Sequence, residues 1–186
     1  MVTLSALWLP IVLSAVIVFV ASSIIHMAIP IHRSDYRPLP DEEKVLDALR
    51  SAGVTPGRVY HFPRTTMKEM KNPEVVEKFK RGPVGFITIM PSGAPSMGKF
   101  LGQWFIYCVV VSIFTAYLTG RTEPAGTIYL HVFRVAGCAA FLCYSMALIQ
   151  NAIWKGETWG VTLKHVIDGL VYGLLTAGTF GWLWPR

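Results

Sequence analysis

The chain has 186 residues, of which 53% are hydrophobic and only 15% are charged. Soluble domains carry about 25% charged residues, so this composition excludes an ordinary water-soluble domain and indicates a membrane protein. The formal net charge is +6, but the basic residues are interspersed with acids, which is too dilute a charge for nucleic-acid binding. We therefore expect the lipid bilayer, and no nucleic acid, as a partner.

Four long apolar stretches predict four transmembrane α-helices. The first is at about 4–29, and its Leu4–Ile25 part is 22 residues without a formal charge, which is long enough to cross a bilayer. It lacks the basic start and short apolar core of a secretory signal, so we expect it to be retained. The other three stretches are at about 100–118, 125–154 and 162–184.

A soluble insert of different composition separates the first two spans. Pro30 ends the first helix, and the insert then alternates between helix and strand signals. The predicted helices are at 41–51 and 73–81, with Asn72 as N-cap of the second, and the predicted strands are at 58–62 and 84–90. The expected fold is an all-α integral membrane protein with a small α/β insert, divided as 1–29, 30–98 and 99–186.

The basic residues predict the orientation of the chain. Four spans place the insert and the connection between the third and fourth spans on one side, which then holds 14 of the 17 lysines and arginines. Basic loops stay in the cytoplasm, so we expect a multi-pass inner-membrane protein with a cytoplasmic insert.

Small residues recur every four positions in the fourth span, at Gly169, Gly173, Ala177 and Gly181. The third span offers Ala136, Gly137 and Ala140. Small residues let helix backbones approach closely, so these two spans are expected to pack together, or to bind a second subunit.

Two histidines at similar depth, His26 and His165, are candidate ligands for a haem or a metal ion. The alternative is that each is an interfacial histidine bonded to backbone or water. His32 and His61 are interpreted as loop histidines.

Arg134 and Asp168 are the most informative charges within the spans, because ionisable groups there are costly. An ion pair between them is feasible and would suit a proton or ion relay. The alternatives are a purely structural pair, or separate extension of each side chain to the membrane surface, with Lys164 beside Asp168. No broken helix or repeat is predicted to support a transporter.

No GxSxG, P-loop, HExxH or CxxC motif occurs, so no catalytic residue is assigned and an enzyme is disfavoured. The favoured function is a non-catalytic membrane subunit or scaffold beside other membrane subunits. A haem- or quinone-associated redox subunit and a small-solute or proton transporter are the alternatives.

Three segments carry a resemblance: HRSDYRPLPDEEKVLDALRSAG, GPVGFITIMPSG and DGLVYGLLTAGTFGWLWP. Together they resemble a family of small, functionally uncharacterised bacterial four-helix inner-membrane proteins. The resemblance implies a bacterial four-span protein and no particular activity.

Overall fold

The computed structural model describes all residues, 1–186, and is mostly helical. The chain forms two compact units. One, the helical unit, consists of Met1–Asp35 and Ser96–Arg186, and the other, the insert, is Tyr36–Pro95.

Seven α-helices and two strands follow one another along the chain. In order they are α1 (Trp8–Met27), α2 (Glu42–Ser51), β1 (Arg58–Phe62), α3 (Pro73–Arg81), β2 (Gly85–Ile89), α4 (Met97–Thr122), α5 (Tyr129–Ser145), α6 (Ile149–Lys155) and α7 (Trp159–Trp182). Short 3₁₀ turns precede α1, follow it at Pro30–His32, and precede α3.

Three helical segments are long and apolar enough to cross a membrane: Leu4–Met27, Met97–Thr122 and Tyr129–Lys155. The fourth predicted span corresponds to α7, which has 24 residues. It is not among the three, and its first turns carry Lys164, His165 and Asp168. The structure therefore supports three spans, and the number four stays a prediction.

The third span is not one continuous helix. A 3₁₀ turn at Met146–Leu148 separates α5 from α6, although the sequence analysis predicted no broken helix. No proline or glycine marks the turn. The break ends α5 at Ser145, whose hydroxyl donates to the Val166 carbonyl of α7.

Helices α5 and α7 make the closest packing in the helical unit, through the small residues predicted for it. A side-chain carbon added at Gly137 would lie 3.0 Å from Cβ of Ala177, and one added at Gly173 would lie 3.3 Å from the Gly137 carbonyl. At the far end, a carbon added at Gly181 would lie 2.7 Å from the Tyr129 ring. These small residues of α7, which we call the small-residue stripe, are thus covered by α5 within the chain and are not free to bind a partner.

The core of the helical unit lies between α1, α4, α5 and α7 and forms two clusters. One cluster centres on Leu7, Ala136 and Phe180. The other includes Val18 and Cys108, and it lies nearer the end where α1 and α5 finish and α4 and α7 begin. We call that end of the helical unit the histidine end.

In the insert, β1 and β2 form an antiparallel pair with Tyr60 opposite Ile87. The side chain of Asp41 caps α2 and that of Asn72 caps α3, and every predicted helix and strand of the insert is confirmed to within two residues. The insert nevertheless has almost no interior, since Pro63 is its only buried residue. Local signals therefore define its elements, while few of its side chains are removed from solvent.

The insert begins at Tyr36, whereas the sequence analysis began it at Pro30. Residues 30–35 belong to the helical unit because Lys164 of α7 binds them. Its ammonium group donates to the Ile31 carbonyl at 2.7 Å and lies 2.6 Å from Oδ1 of Asp35.

Candidate metal centre

Four side chains with metal-binding atoms converge at the histidine end of the helical unit. They are His26, His32, His165 and Asp168, and one ligand atom from each lies within 4.8 Å of the others. We call this group the metal centre. Three imidazoles and one carboxylate form a donor set typical of first-row transition metals.

Local chain geometry places the four side chains. His26 lies in the last turn of α1, and the chain then becomes extended at Ile29 before the 3₁₀ turn Pro30–His32. The extended residue and the turn together bring His32 back beside the end of α1, where its ring stacks on that of His26 with centroids 4.4 Å apart. His165 and Asp168 are three residues apart on α7, so they share one face of that helix.

The orientation of His32 is fixed by a carboxylate on each side. Its Nδ1 lies 2.6 Å from Oδ2 of Asp35, so that nitrogen carries the proton and donates it to the carboxylate. Its Nε2 lies 3.1 Å from Oδ2 of Asp168, but without the geometry of a hydrogen bond. Both of these atoms are buried and have no hydrogen-bond partner, and a cation bound between them would partner both.

Asp35 is itself firmly held. Its side chain is 2% exposed, and Lys164 donates to it while also donating to Ser34 Oγ at 3.0 Å. The Lys164 ammonium holds the pKa of Asp35 below its ordinary value, with a smaller contribution from His32, although burial opposes the shift. Asp35 is therefore an ionised outer partner of His32, an arrangement that orients metal-binding histidines in many proteins.

The other two histidines leave a nitrogen free as well. His26 uses Nδ1 for a hydrogen bond with the Ser22 carbonyl at 3.1 Å, and its Nε2 makes no hydrogen bond within the protein. His165 stacks on His32 at 5.5 Å, and its Nδ1 lies 3.8 Å from Asp168, beyond hydrogen-bond distance. Three imidazoles thus offer ligand nitrogens toward the same carboxylate.

The spacing of the ligand atoms tests the fit to a metal ion. In a tetrahedral zinc site with bonds of 2.0–2.1 Å, ligand atoms are about 3.3 Å apart. The 3.1 Å between His32 and Asp168 already matches this value, and the widest separation of 4.8 Å must contract. The residues therefore fit a four-coordinate ion after a small inward movement of the outer ligands.

A haem does not fit between His26 and His165, which the sequence analysis offered as its candidate ligands. The structure does bring these two histidines together. His32 and Asp168, however, lie within the same 4.8 Å, where a porphyrin ring would have to lie. The geometry favours a single ion over the haem alternative.

The structure does not form the candidate ion pair between Arg134 and Asp168. Asp168 lies against His32 and His165, whereas Arg134 is exposed and has no carboxylate partner. Arg134 is two residues from both Val132 and Ala136, which are fully buried, so the helical period turns it outward.

His32 was the residue that the sequence analysis missed, because it follows a helix-breaking proline and was taken for a loop histidine. A signal for it is present in the sequence. His32 and Asp35 repeat the His-x-x-Asp spacing of His165 and Asp168. His165 and Asp168 share a face of α7, whereas His32 ends a 3₁₀ turn and Asp35 follows that turn, and the two side chains meet at 2.6 Å. His61, the other histidine assigned to a loop, lies in β1 and stacks on Phe86.

The fold has three helical segments long and apolar enough to cross a membrane, and the site brings together four side chains that could hold a metal ion, of which Asp168 is buried and His26 is exposed. Comparison with models of protein families, with characterised proteins and with solved structures finds no match for this chain. The resemblance to small bacterial membrane proteins stays a prediction.

Proposed function

We propose that this chain is a membrane protein that binds one divalent transition-metal ion at the metal centre. The observation that carries the proposal is the contact of His32 Nε2 with Asp168 Oδ2, two buried atoms 3.1 Å apart that have no hydrogen-bond partner. A cation between such atoms satisfies both of them, and zinc is the reference ion for three imidazoles and a carboxylate.

The proposed role of the ion is structural. Four protein ligands complete a tetrahedral shell and leave no open position for water or substrate, which is the pattern of structural zinc sites. The ligands come from the end of α1, the turn after it and the start of α7, so the ion would join segments that are far apart in the chain. This role agrees with a non-catalytic membrane subunit, the function favoured by the sequence.

We also propose that α7 crosses the membrane as a fourth span. Its buried residues continue from Thr162 to Phe180, against α1 and α5, which belong to two of the three segments long enough to cross. Its ionisable residues are confined to the first turns, where the metal centre and Asp35 engage them. Four spans, the basic connections and the resemblance together support a bacterial inner membrane and a cytoplasmic insert.

Contact with another subunit is proposed for the insert, because the small-residue stripe is already used inside the helical unit. The insert presents exposed hydrophobic side chains such as Val59, Met67 and Phe86. Exposed apolar groups of this kind are typical of surfaces that another protein covers.

Zinc titration of the full-length protein in mild detergent tests the proposed site. After treatment with a chelator, the chain should bind one zinc ion, as measured by calorimetry and by elemental analysis. His32→Ala should weaken binding by more than about 100-fold, beyond the 10–100-fold typical of outer partners. His61→Ala is the matched control, since the same residue type is removed from β1 in the insert.

Bound zinc should also raise the melting temperature, because a ligand that binds only the folded state stabilises it by about 2.7 kcal/mol at 100 times its Kd. Zinc that binds His32→Ala as tightly as the unaltered chain, or that binds without stabilising the fold, would show that the four side chains form an ion-free polar cluster.

A further inference from the structure

Helix α3 of the insert has an apolar face that the rest of the insert leaves open. Val75, Val76 and Phe79 share this face, because they are at positions i, i+1 and i+4 of one helix. Together with Met70 and Lys80 they line a groove of about 380 Å³, and every residue of its lining belongs to α3 or to the 3₁₀ turn before it. Val76 is 39% exposed and Met70 is 46% exposed. We call this surface the α3 groove.

Charged side chains are arranged around the apolar face according to their sign. At about 100° per residue, Lys78 and Lys80 lie at its two edges, whereas Glu74 and Glu77 lie on the opposite side of the helix. The only ion pair in α3 joins Lys80 to Glu77 at 3.9 Å, and both side chains are more than half exposed, so it stabilises little. The two ammonium groups are therefore available to a partner outside the insert.

Helix α2 has the same apolar spacing with different edges and provides an internal comparison. Val45, Leu46 and Leu49 match the three apolar positions of α3, but Ala48 and Arg50 occupy the positions of its two lysines. The first turn of α2 is acidic, and Arg50 is paired with a carboxylate of its own helix. Only α3 therefore combines an open apolar face with a lysine at each edge.

This combination is typical of helices that lie in the surface of a membrane. The apolar face of such a helix enters the boundary between the lipid head groups and the acyl chains, and lysines at its edges extend to the phosphates. The insert is joined at both ends to segments long and apolar enough to cross a membrane, those of α1 and α4. A membrane that holds these segments keeps its surface within reach of α3.

We propose that the α3 groove binds the anionic surface of the membrane that the chain crosses. The apolar side chains enter the head-group boundary, and Lys78 and Lys80 bind the lipid phosphates. None of the groove residues is among those named above for contact with another subunit, and none is a metal ligand. Zinc binding should therefore be unchanged in every variant below, so that failure of this proposal is distinguished from failure of the metal centre.

The test compares the full-length protein in two kinds of lipid disc, one of phosphatidylcholine alone and one with about one-third phosphatidylglycerol. Each lysine near an anionic surface strengthens attachment about fivefold. Amide hydrogen exchange in α3 should therefore be about fivefold slower, or more, in the anionic discs, while exchange in α2 is the same in both. High salt should remove the difference, because it screens the attraction.

Charge-removing variants connect the effect to the edges of the groove. In Lys78→Gln with Lys80→Gln, α3 should exchange equally fast in the two kinds of disc. Lys44→Gln with Arg50→Gln removes the same charge from α2 and should keep the slower exchange of α3 in anionic discs. In neutral discs α3 should exchange alike in both variants and in the unaltered chain, which excludes an effect on folding.

A neutral substitution separates binding of the groove from general attraction of a basic insert. Val76→Gln leaves the net charge unchanged but should reduce the slowing of exchange in anionic discs, because the polar side chain resists entry into the head-group boundary. Val59→Gln is the matched control, since it alters an exposed valine of β1 outside the groove and should have no such effect.

Equal exchange of α3 in the two kinds of disc would overturn the proposal, and so would slowing that survives the loss of both lysines. Exchange in α3 that slows with rising protein concentration in detergent, without lipid, would assign the groove to a second copy of the chain and would equally overturn it. The comparison of the two discs uses the unaltered chain, so it decides the matter even if a variant does not fold.

Discussion

The helical unit and the insert differ in how their polar side chains are satisfied. In the insert, every side-chain hydrogen bond joins residues no more than five positions apart, as in the bonds of Tyr60 with Thr55. In the helical unit, decisive bonds join distant residues: Ser22 with Trp104, 82 positions apart, and Asp35 with Lys164, 129 apart.

This difference between local and long-range hydrogen bonds shows in which unit a site made of distant residues can form. Local bonds define a turn or cap a helix but cannot bring separate parts of the chain together. Long-range polar bonds inside an apolar bundle are costly to leave unmade, so they fix one arrangement of the helices. The metal centre lies among such bonds, and it uses side chains from α1 and α7, which are at opposite ends of the sequence.

The largest expected effect comes from breaking the closest helix contact. Gly173→Leu should destabilise the helical unit by about 3 kcal/mol or more, because its position already touches the backbone of Phe141 and Gly137. Thermal unfolding followed by circular dichroism in detergent measures the loss.

Gly160→Leu is the control for this variant. It places the same side chain on α7 where no atom lies within 4 Å. Equal destabilisation by the two variants would show that α5 and α7 do not pack as described.

A smaller effect is expected from the outer partner of His32. Asp35→Asn should weaken zinc binding about 10- to 100-fold, because the amide no longer holds the His32 imidazole with a full charge. Calorimetric titration of the chelator-treated protein gives the ratio of the two affinities.

Asp47→Asn is the matched change in the insert, where the carboxylate pairs with Arg50 at the surface. It should leave the zinc affinity unchanged. If Asp35→Asn binds zinc as well as the unaltered chain, Asp35 has no part in orienting His32.

Within the insert, removal of a helix cap should have a local effect only. Asn72→Ala should destabilise α3 by about 1 kcal/mol, since Asn72 Oδ1 accepts from the Glu74 amide at 2.9 Å. Amide hydrogen exchange in α3 should accelerate, while zinc affinity and the unfolding of the helical unit stay the same. A change in either property would mean that the insert is coupled to the bundle.

The smallest expected effect is the response of one exposed carboxylate to pH. Bonds from the Thr66 amide and hydroxyl, and from the Thr65 hydroxyl, lower the pKa of Glu69 below its ordinary value of about 4.3. Because the folded-state pKa is the lower one, the contribution is complete above about pH 4.3 and disappears as the pH falls through the folded-state pKa.

Protection of the Thr66 amide from hydrogen exchange measures this contribution, after correction for the intrinsic effect of pH. Protection should fall below about pH 4 in the unaltered chain and should be independent of pH in Glu69→Gln. The same fall in both proteins would assign the effect to another group.

Much of the fold could be predicted from the sequence, because its signals are local or compositional. Uncharged stretches such as Leu4–Ile25 identify three spans, and caps such as Asn72 fix the ends of the helices in the insert. The break at Met146–Leu148 could not be predicted, since no proline or glycine marks it. The fourth span is not settled by composition, because the residues that build the site also reduce the apolar character of α7.

The sequence by itself determined a helical chain with segments apolar enough to cross a membrane, a small insert and the pairing of small residues on α5 and α7, since each depends on residue type and short spacing. Only the tertiary structure decided which ionisable groups meet. It turned Arg134 outward, joined Asp168 to His32 and placed Tyr144 beside Tyr172. Contacts between residues more than a hundred positions apart depend on how whole helices pack, and no local pattern specifies that packing.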